Sequence, residues 1–150
     1  MATLFRRILV PLDFSPPSRH ALKVAIELAA EHRGRVHVVH AVTPYYLAAD
    51  ASPSPGAFVE PGPLIDAARK MVSKEVAKAV GRRRIKVRSE VLLGDPVQVI
   101  LDSARGNDSI VMATMGRTGL GRLLIGSVAE RVVRHSHVPV LSLRGGRAKR

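Results

Sequence analysis

The chain has no cysteine among its 150 residues. Disulfide bridges and Cys-ligated zinc or iron–sulfur centres are therefore excluded. Aromatic residues make up only 3% of it, so a core has to be assembled mostly from Val, Leu, Ile, Ala and Met. No apolar run approaches the roughly 18 residues of a membrane span. The opening segment MATLFRRILVPLD has too short an apolar run and no small-residue cleavage site, so no secretory leader is expected. These absences point to a soluble chain, expected in the cytoplasm, whose length suits one domain over 1–150. Acidic residues are scarce too: 12 Asp and Glu stand against 24 Lys and Arg, for a net charge of +12. That balance favours anionic partners such as nucleotides, nucleic acid or a membrane surface. Compositional bias toward Arg is the competing explanation, because the charge is spread along the chain. Only GRRRIK (81–86) and the tail RGGRAKR (144–150) are dense.

What is present is an alternation of short apolar runs with segments of helical period. RILVPL (7–12), RVHVVHAV (35–42), IKVRSEVLL (85–93), DSIVMA (108–113) and VPVLSL (138–143) read as strands. After the first, DFSPPS offers Ser15 or Ser18 as a helix cap and a proline at the first helical position. Leu22, Ala25, Ile26 and Ala29 then fall on one face up to Gly34. In 64–81, Ile65, Ala68, Val72, Val76 and Ala79 share a face, and Gly81 suits the stop. In 94–106, Asp95 serves as N-cap and Pro96 as the first helical residue, with Val97, Ile100, Leu101 and Ala104 as the buried stripe. Ser127-x-x-Glu130 reads as a capping box opening a helix that carries Val128, Val132 and Val133. The Pro- and Ala-rich stretch 43–63 has no period and reads as a long surface loop. Strand and helix alternate throughout, so a parallel sheet covered on both faces is expected.

In such a sheet, ligands bind beyond the carboxyl ends of the strands. The stretch GRTGLGRLLIGS (116–127) lies there, after the fourth strand and before the last helix. Glycines let backbone N–H groups approach an anion, and a helix N-terminus adds free N–H groups and a positive dipole end. Arg117 and Arg122 add charge. Generic phosphate motifs do not match. Gly121-x4-Gly126-Ser127 lacks the Lys of a P-loop, and Gly119-x-Gly121 lacks a third glycine and follows the wrong strand for a dinucleotide fingerprint. A flexible connection whose glycines serve packing is the alternative. His37 and His40 are three apart and so on opposite faces of a strand, and His135 and His137 flank a helix end. Neither pair reads as a metal site. Ser127, His135 and Asp108 contain triad residue types without a nucleophile-elbow pattern, so no hydrolase is read.

These residues, taken in order, resemble the universal stress protein family. The resemblance is carried by RRILVPLDFSPPSRHAL, VHVVHAV and LLGDPVQVIL. Its most specific part is SIVMATMGRTGLGRLLIGSVAERVVRHSHVPVLSL, and it covers essentially the whole chain. It implies five parallel strands in the order 3-2-1-4-5 with helices on both faces, a Rossmann-like α/β fold. It also implies a homodimer in which the last strand, Val138–Leu143, pairs across a two-fold axis. One branch of the family binds ATP through Gly-x2-Gly-x9-Gly-Ser/Thr. On this chain the matching residues are Gly116, Gly126 and Ser127, while Ala113 stands at the first glycine position. A positive φ at Ala113 would cost about 1 kcal/mol, whereas a negative φ would leave only the methyl's intrusion on the ligand.

The resemblance further implies Asp13 near ribose or adenine and the Ala41 backbone at the adenine edge. Pro11 and Met112 would line the pocket, and the Val128 N–H would face the phosphates. Turn formation is the competing use of Asp13, and core packing that of Pro11 and Met112. The expected function is an ATP-binding stress-response module, with Mg as a companion ion. A dimeric module without ATP and a basic nucleic-acid-associated protein are the alternatives. Few stacking aromatics and no reader motif stand against a nucleic-acid partner. With no evident base for water and no arginine-finger pattern, no catalytic residue is assigned and no enzyme is expected.

Overall fold

The computed structural model describes residues 4–43, 60–115 and 125–144. Its centre is the run Ile8, Leu9, Val10, fully buried because a strand covered on both faces has no solvent side. This strand, β1 (Arg7–Pro11), pairs with β2 (Arg35–Val42) on one side and β4 (Ser109–Ala113) on the other. Beyond them lie β3 (Lys86–Leu93) and β5 (Val140–Leu143), giving a parallel sheet in the order β3-β2-β1-β4-β5. The helices are α1 (Pro16–Glu31), α2 (Gly62–Val80), α3 (Pro96–Ala104) and α4 (Ser127–His135). The fold class and strand order match the expectation.

Alternation along the strands divides the core into two layers. Ile8, Val10, Val36, Val38 and Val111 face α1 and α2, and pack with Leu22, Ile26 and Val72. Leu9, Val39, Ile110 and Met112 face α3 and α4, and pack with Val97, Ile100, Ala129 and Val132. On α3, Val99 is buried as well, beyond the stripe read from spacing, and Leu101 is only partly so. No helix among the described residues is long and apolar enough to cross a membrane.

Helix starts bear on the site, because in a parallel sheet they lie at the carboxyl ends of the strands. Ser15 is the N-cap of α1 and accepts a bond from the Ser18 N–H at 3.2 Å, with Pro16 at the first helical position. Ser18 is buried and donates its hydroxyl to the Ser15 carbonyl. Asp95 caps α3 through the Gln98 N–H at 3.1 Å. α2 begins at Gly62 and not at 64, so the end of the expected loop 43–63 is already helical.

The capping box at Ser127 is not formed. The Glu130 N–H donates to the Gly126 carbonyl at 2.9 Å, which makes Gly126 the cap and Ser127 the first helical residue. Glu130 then falls one position too far along to return to the cap, and pairs with Arg134 at 2.6 Å instead. The last strand is also shorter than 138–143. Pro139 has no N–H for the ladder, and the Ser136 hydroxyl holds the Val138 carbonyl in a turn at 2.7 Å, so pairing starts at Val140.

Candidate functional site

A cavity of about 590 Å³ opens where β1, β2 and β4 end. The chain leaves β1 at Pro11 and turns into α1. Within that turn the Asp13 carboxylate accepts the Ser15 N–H at 2.9 Å, while the Asp13 N–H donates to the Ser18 hydroxyl at 3.3 Å. The turn role that competes for Asp13 is therefore real, yet Asp13 also lines the cavity. Phe14 sits beside it at φ 65, an uncommon backbone for a bulky side chain. Its ring lies 4.5 Å from that of His40, whose Nδ1 bonds the Leu12 carbonyl at 2.6 Å.

On the opposite wall, β4 ends at Ala113 and the chain returns at Gly126. Thr114 joins the two: its carbonyl accepts the Gly126 N–H at 2.6 Å, and its own N–H donates to Leu143 at 2.9 Å. Gly126 has φ −59 and ψ 150, values open to any residue. Its backbone does not require glycine, so what it supplies is the missing side chain. Among the described residues, α4 then starts with no side-chain cap. Its first-turn N–H groups belong to residues that line the cavity: Ser127, Val128 and Ala129. Ala113 is not among the positive-φ residues, so the strained-backbone alternative is removed and only its methyl remains to be accommodated.

Pro11, Asp13, Ala41, Met112, Ala113, Gly126, Ser127 and Val128 all line this one cavity. Gly116, with Arg117 and Arg122, lies outside the described residues. Among the described lining residues none is Lys or Arg, and the only carboxylate is that of Asp13. Among the described residues, positive potential there comes from the α4 terminus.

Several lining residues escaped the sequence reading. Leu64 and Met71 of α2 are 42% and 48% exposed, yet both line the cavity. Their seven-residue spacing, one position off the core stripe of α2, was the available signal. The Thr43 hydroxyl, also at the cavity, is buried with no hydrogen-bond partner among the described residues. Nothing in sequence marks that atom.

The histidines separate as alternation requires. His40 faces α1, while His37 bonds Glu90 on the opposite face at 3.1 Å.

The Universal stress protein family profile matches residues 4–144. A universal stress protein of Methanocaldococcus jannaschii is 34% identical over 145 residues, covering 94% of this chain and 83% of its own. One of Bacillus subtilis is 31% identical over 150 residues, covering 94% and 100%. Among solved structures, the hypothetical protein MJ0577 of M. jannaschii superposes with TM-score 0.78 at 25% identity, covering 98% and 99% of the two chains. A universal stress protein in complex with cAMP has TM-score 0.70 at 20% identity, covering 94% and 98%. One from Archaeoglobus fulgidus in complex with dAMP has TM-score 0.65 at 22% identity, covering 93% and 98%.

Proposed function

This chain belongs to the universal stress protein family, and from that premise we propose that it binds an adenine nucleotide, ATP, in the cavity at the carboxyl ends of β1, β2 and β4. The observation that carries the reading is the start of α4. A glycine whose backbone does not need to be glycine precedes a helix with no side-chain cap, and both open onto the cavity. Phosphate oxygens would take the first-turn N–H groups of Ser127, Val128 and Ala129, with the helix dipole behind them. Apolar walls from Pro11, Met112 and the Leu64 and Met71 side chains suit a planar base, and Asp13 can accept from a ribose hydroxyl. The cAMP and dAMP complexes of two proteins with this fold support an adenine mononucleotide core as the recognised part.

Among the described residues no group of His, Asp or Glu forms a cage for a metal. A magnesium ion would arrive with the phosphates, which is its usual mode. The proposal is binding, not turnover, with a homodimer through β5 as its assembly. β5 is an edge strand of the sheet, and Leu141 on it is exposed.

Calorimetry with Mg-ATP on the purified chain tests the reading. A saturable signal supports it, and neither heat nor thermal shift at millimolar nucleotide would sink it.

A further inference from the structure

At the other end of the sheet the turns that enter the strands carry cations. Arg6 and Arg7 lead into β1, Arg33 and Arg35 into β2, Arg82 to Lys86 into β3, and Arg105 into β4. In sequence these are scattered. Parallel topology makes every helix-to-strand turn fall at the same end, so the fold gathers them. The turn before β2 is locked tightly: a Cβ on Gly34 would meet the Phe5 carbonyl oxygen at 2.5 Å.

Strand register adds a second observation. Arg7 pairs with Arg35, and Arg35 with Lys86, so three cations stand side by side across β1, β2 and β3 on one face. Neighbouring strands lie about 4.8 Å apart, and like charges directly opposite each other destabilise a sheet. Arg7 is relieved by Asp108, its Nε at 2.9 Å. Among the described residues no ion pair is formed by Arg35 or Lys86. Cations at helix C-termini are stabilised by the dipole, but these two lie within strands and gain nothing from it.

The row borders a groove of about 560 Å³ on the open face of β3. α3 lies over β1 and β2 and leaves Lys86 and Arg88 exposed. Arg105, Ser103 and Asn107 form the opposite wall. Two carboxylates line it too. Glu90 is engaged by His37 at 3.1 Å and Arg88 at 2.7 Å, while Asp102 is exposed.

We propose that this end of the sheet, with the groove beside β3, docks the phosphate backbone of duplex nucleic acid. An acidic peptide added along the β3 edge would meet Lys86 and Arg88 and then the carboxylate of Glu90. The cationic row runs the other way, across three strands and on into the turns. It suits a long polyanion lying across the strand ends. Guanidinium groups match phosphate oxygens in a bidentate fork, and the surface has Ser and Asn donors without stacking aromatics, as expected for backbone contact without base reading. This site is separate from the cavity proposed for ATP and does not depend on it.

Fluorescence anisotropy with a mixed-sequence 20-bp DNA duplex tests this. Binding should weaken with salt with a log–log slope of about −3.6, the value for four phosphate contacts. The triple variant Arg35→Glu, Lys86→Glu, Arg105→Glu should lose at least about tenfold in affinity while keeping its nucleotide-induced thermal shift. A control of identical charge change, Lys23→Glu, Lys70→Glu, Lys74→Glu, should lose no more than about threefold. If the first triple does not melt cooperatively, Arg35→Gln with Arg105→Gln serves in its place and should give the same ordering. Equal losses in both triples would overturn the proposal, since net charge alone would then account for binding. So would absence of duplex binding, loss only on removing residues 144–150, or tighter binding of polyglutamate than of DNA.

Discussion

The two ends of this sheet differ in what they offer an anion. At the carboxyl end the described lining of the cavity holds no Lys or Arg, and attraction comes from backbone N–H groups at an uncapped helix start. At the amino end attraction comes from side chains: Arg35, Lys86, Arg88 and Arg105 around one groove. The first arrangement is fixed by the chain path, is walled by apolar residues, and suits one small ligand held in one orientation. The second is exposed, is screened by salt, and suits an extended partner held in many registers. Among the described residues, the cavity proposed for the nucleotide lies at the end with fewer cationic side chains.

The comparison can be broken most forcefully at Gly126. Gly126→Val puts a branched side chain where the phosphates would pass, and Mg-ATP affinity should fall by about 100-fold, about 2.7 kcal/mol. Gly126→Ala should retain the wild-type melting midpoint within about 1 kcal/mol of stability, because φ there is negative. Duplex affinity should be untouched in both, as measured by anisotropy.

Next in size is the cap of α1. Ser15→Ala removes the acceptor of the Ser18 N–H and should cost about 1 kcal/mol in urea unfolding. The Ser15 backbone N–H that Asp13 accepts survives in this variant, so Mg-ATP affinity measured by calorimetry should be unchanged.

Ala113→Gly should tighten nucleotide binding by about threefold, under 1 kcal/mol, since only a methyl is removed from extended backbone. Calorimetry of the variant measures it, and unchanged affinity would show that the methyl does not meet the ligand.

The smallest effect belongs to the amino end. Burial lowers the His37 imidazole below its usual value of 6.5, opposed by its hydrogen bond to Glu90. Folding therefore favours the neutral ring. Above pH 6.5 both states are neutral there and His37 has no effect on the pH slope. As pH falls below 6.5 the unfolded chain binds the proton first, and stability declines down to the lowered folded value. His37→Gln should flatten that part of the urea-midpoint profile, below about pH 6.5.

Much of the carboxyl end could be read before any coordinates, because its residues follow strands directly in sequence. Asp13, Ala41 and Ala113 each lie at or just beyond a strand end, and the switch-point rule places such residues together. Ser127 as a cap was misplaced by one residue. Spacing alone cannot tell whether Gly126 or Ser127 holds the first non-helical backbone. Leu64 and Met71 were passed over because an apolar residue beside a core stripe looks like surface until the cavity it borders is known. The amino end was hidden for a different reason. Arg7, Arg35 and Lys86 are far apart in the chain, and only strand register sets them in a row. The resemblance to a nucleotide-binding family directs attention to the glycines and away from these cations.

The most direct test is a titration of Mg-ATP followed by backbone amide shifts in ¹H–¹⁵N spectra of the folded chain. The account predicts saturable shifts largest at Gly126, Ser127, Val128 and Ala129, with Arg35, Lys86 and Arg105 near their starting positions. Shifts concentrated at Arg35, Lys86 and Arg105 with the α4 start unmoved would contradict it.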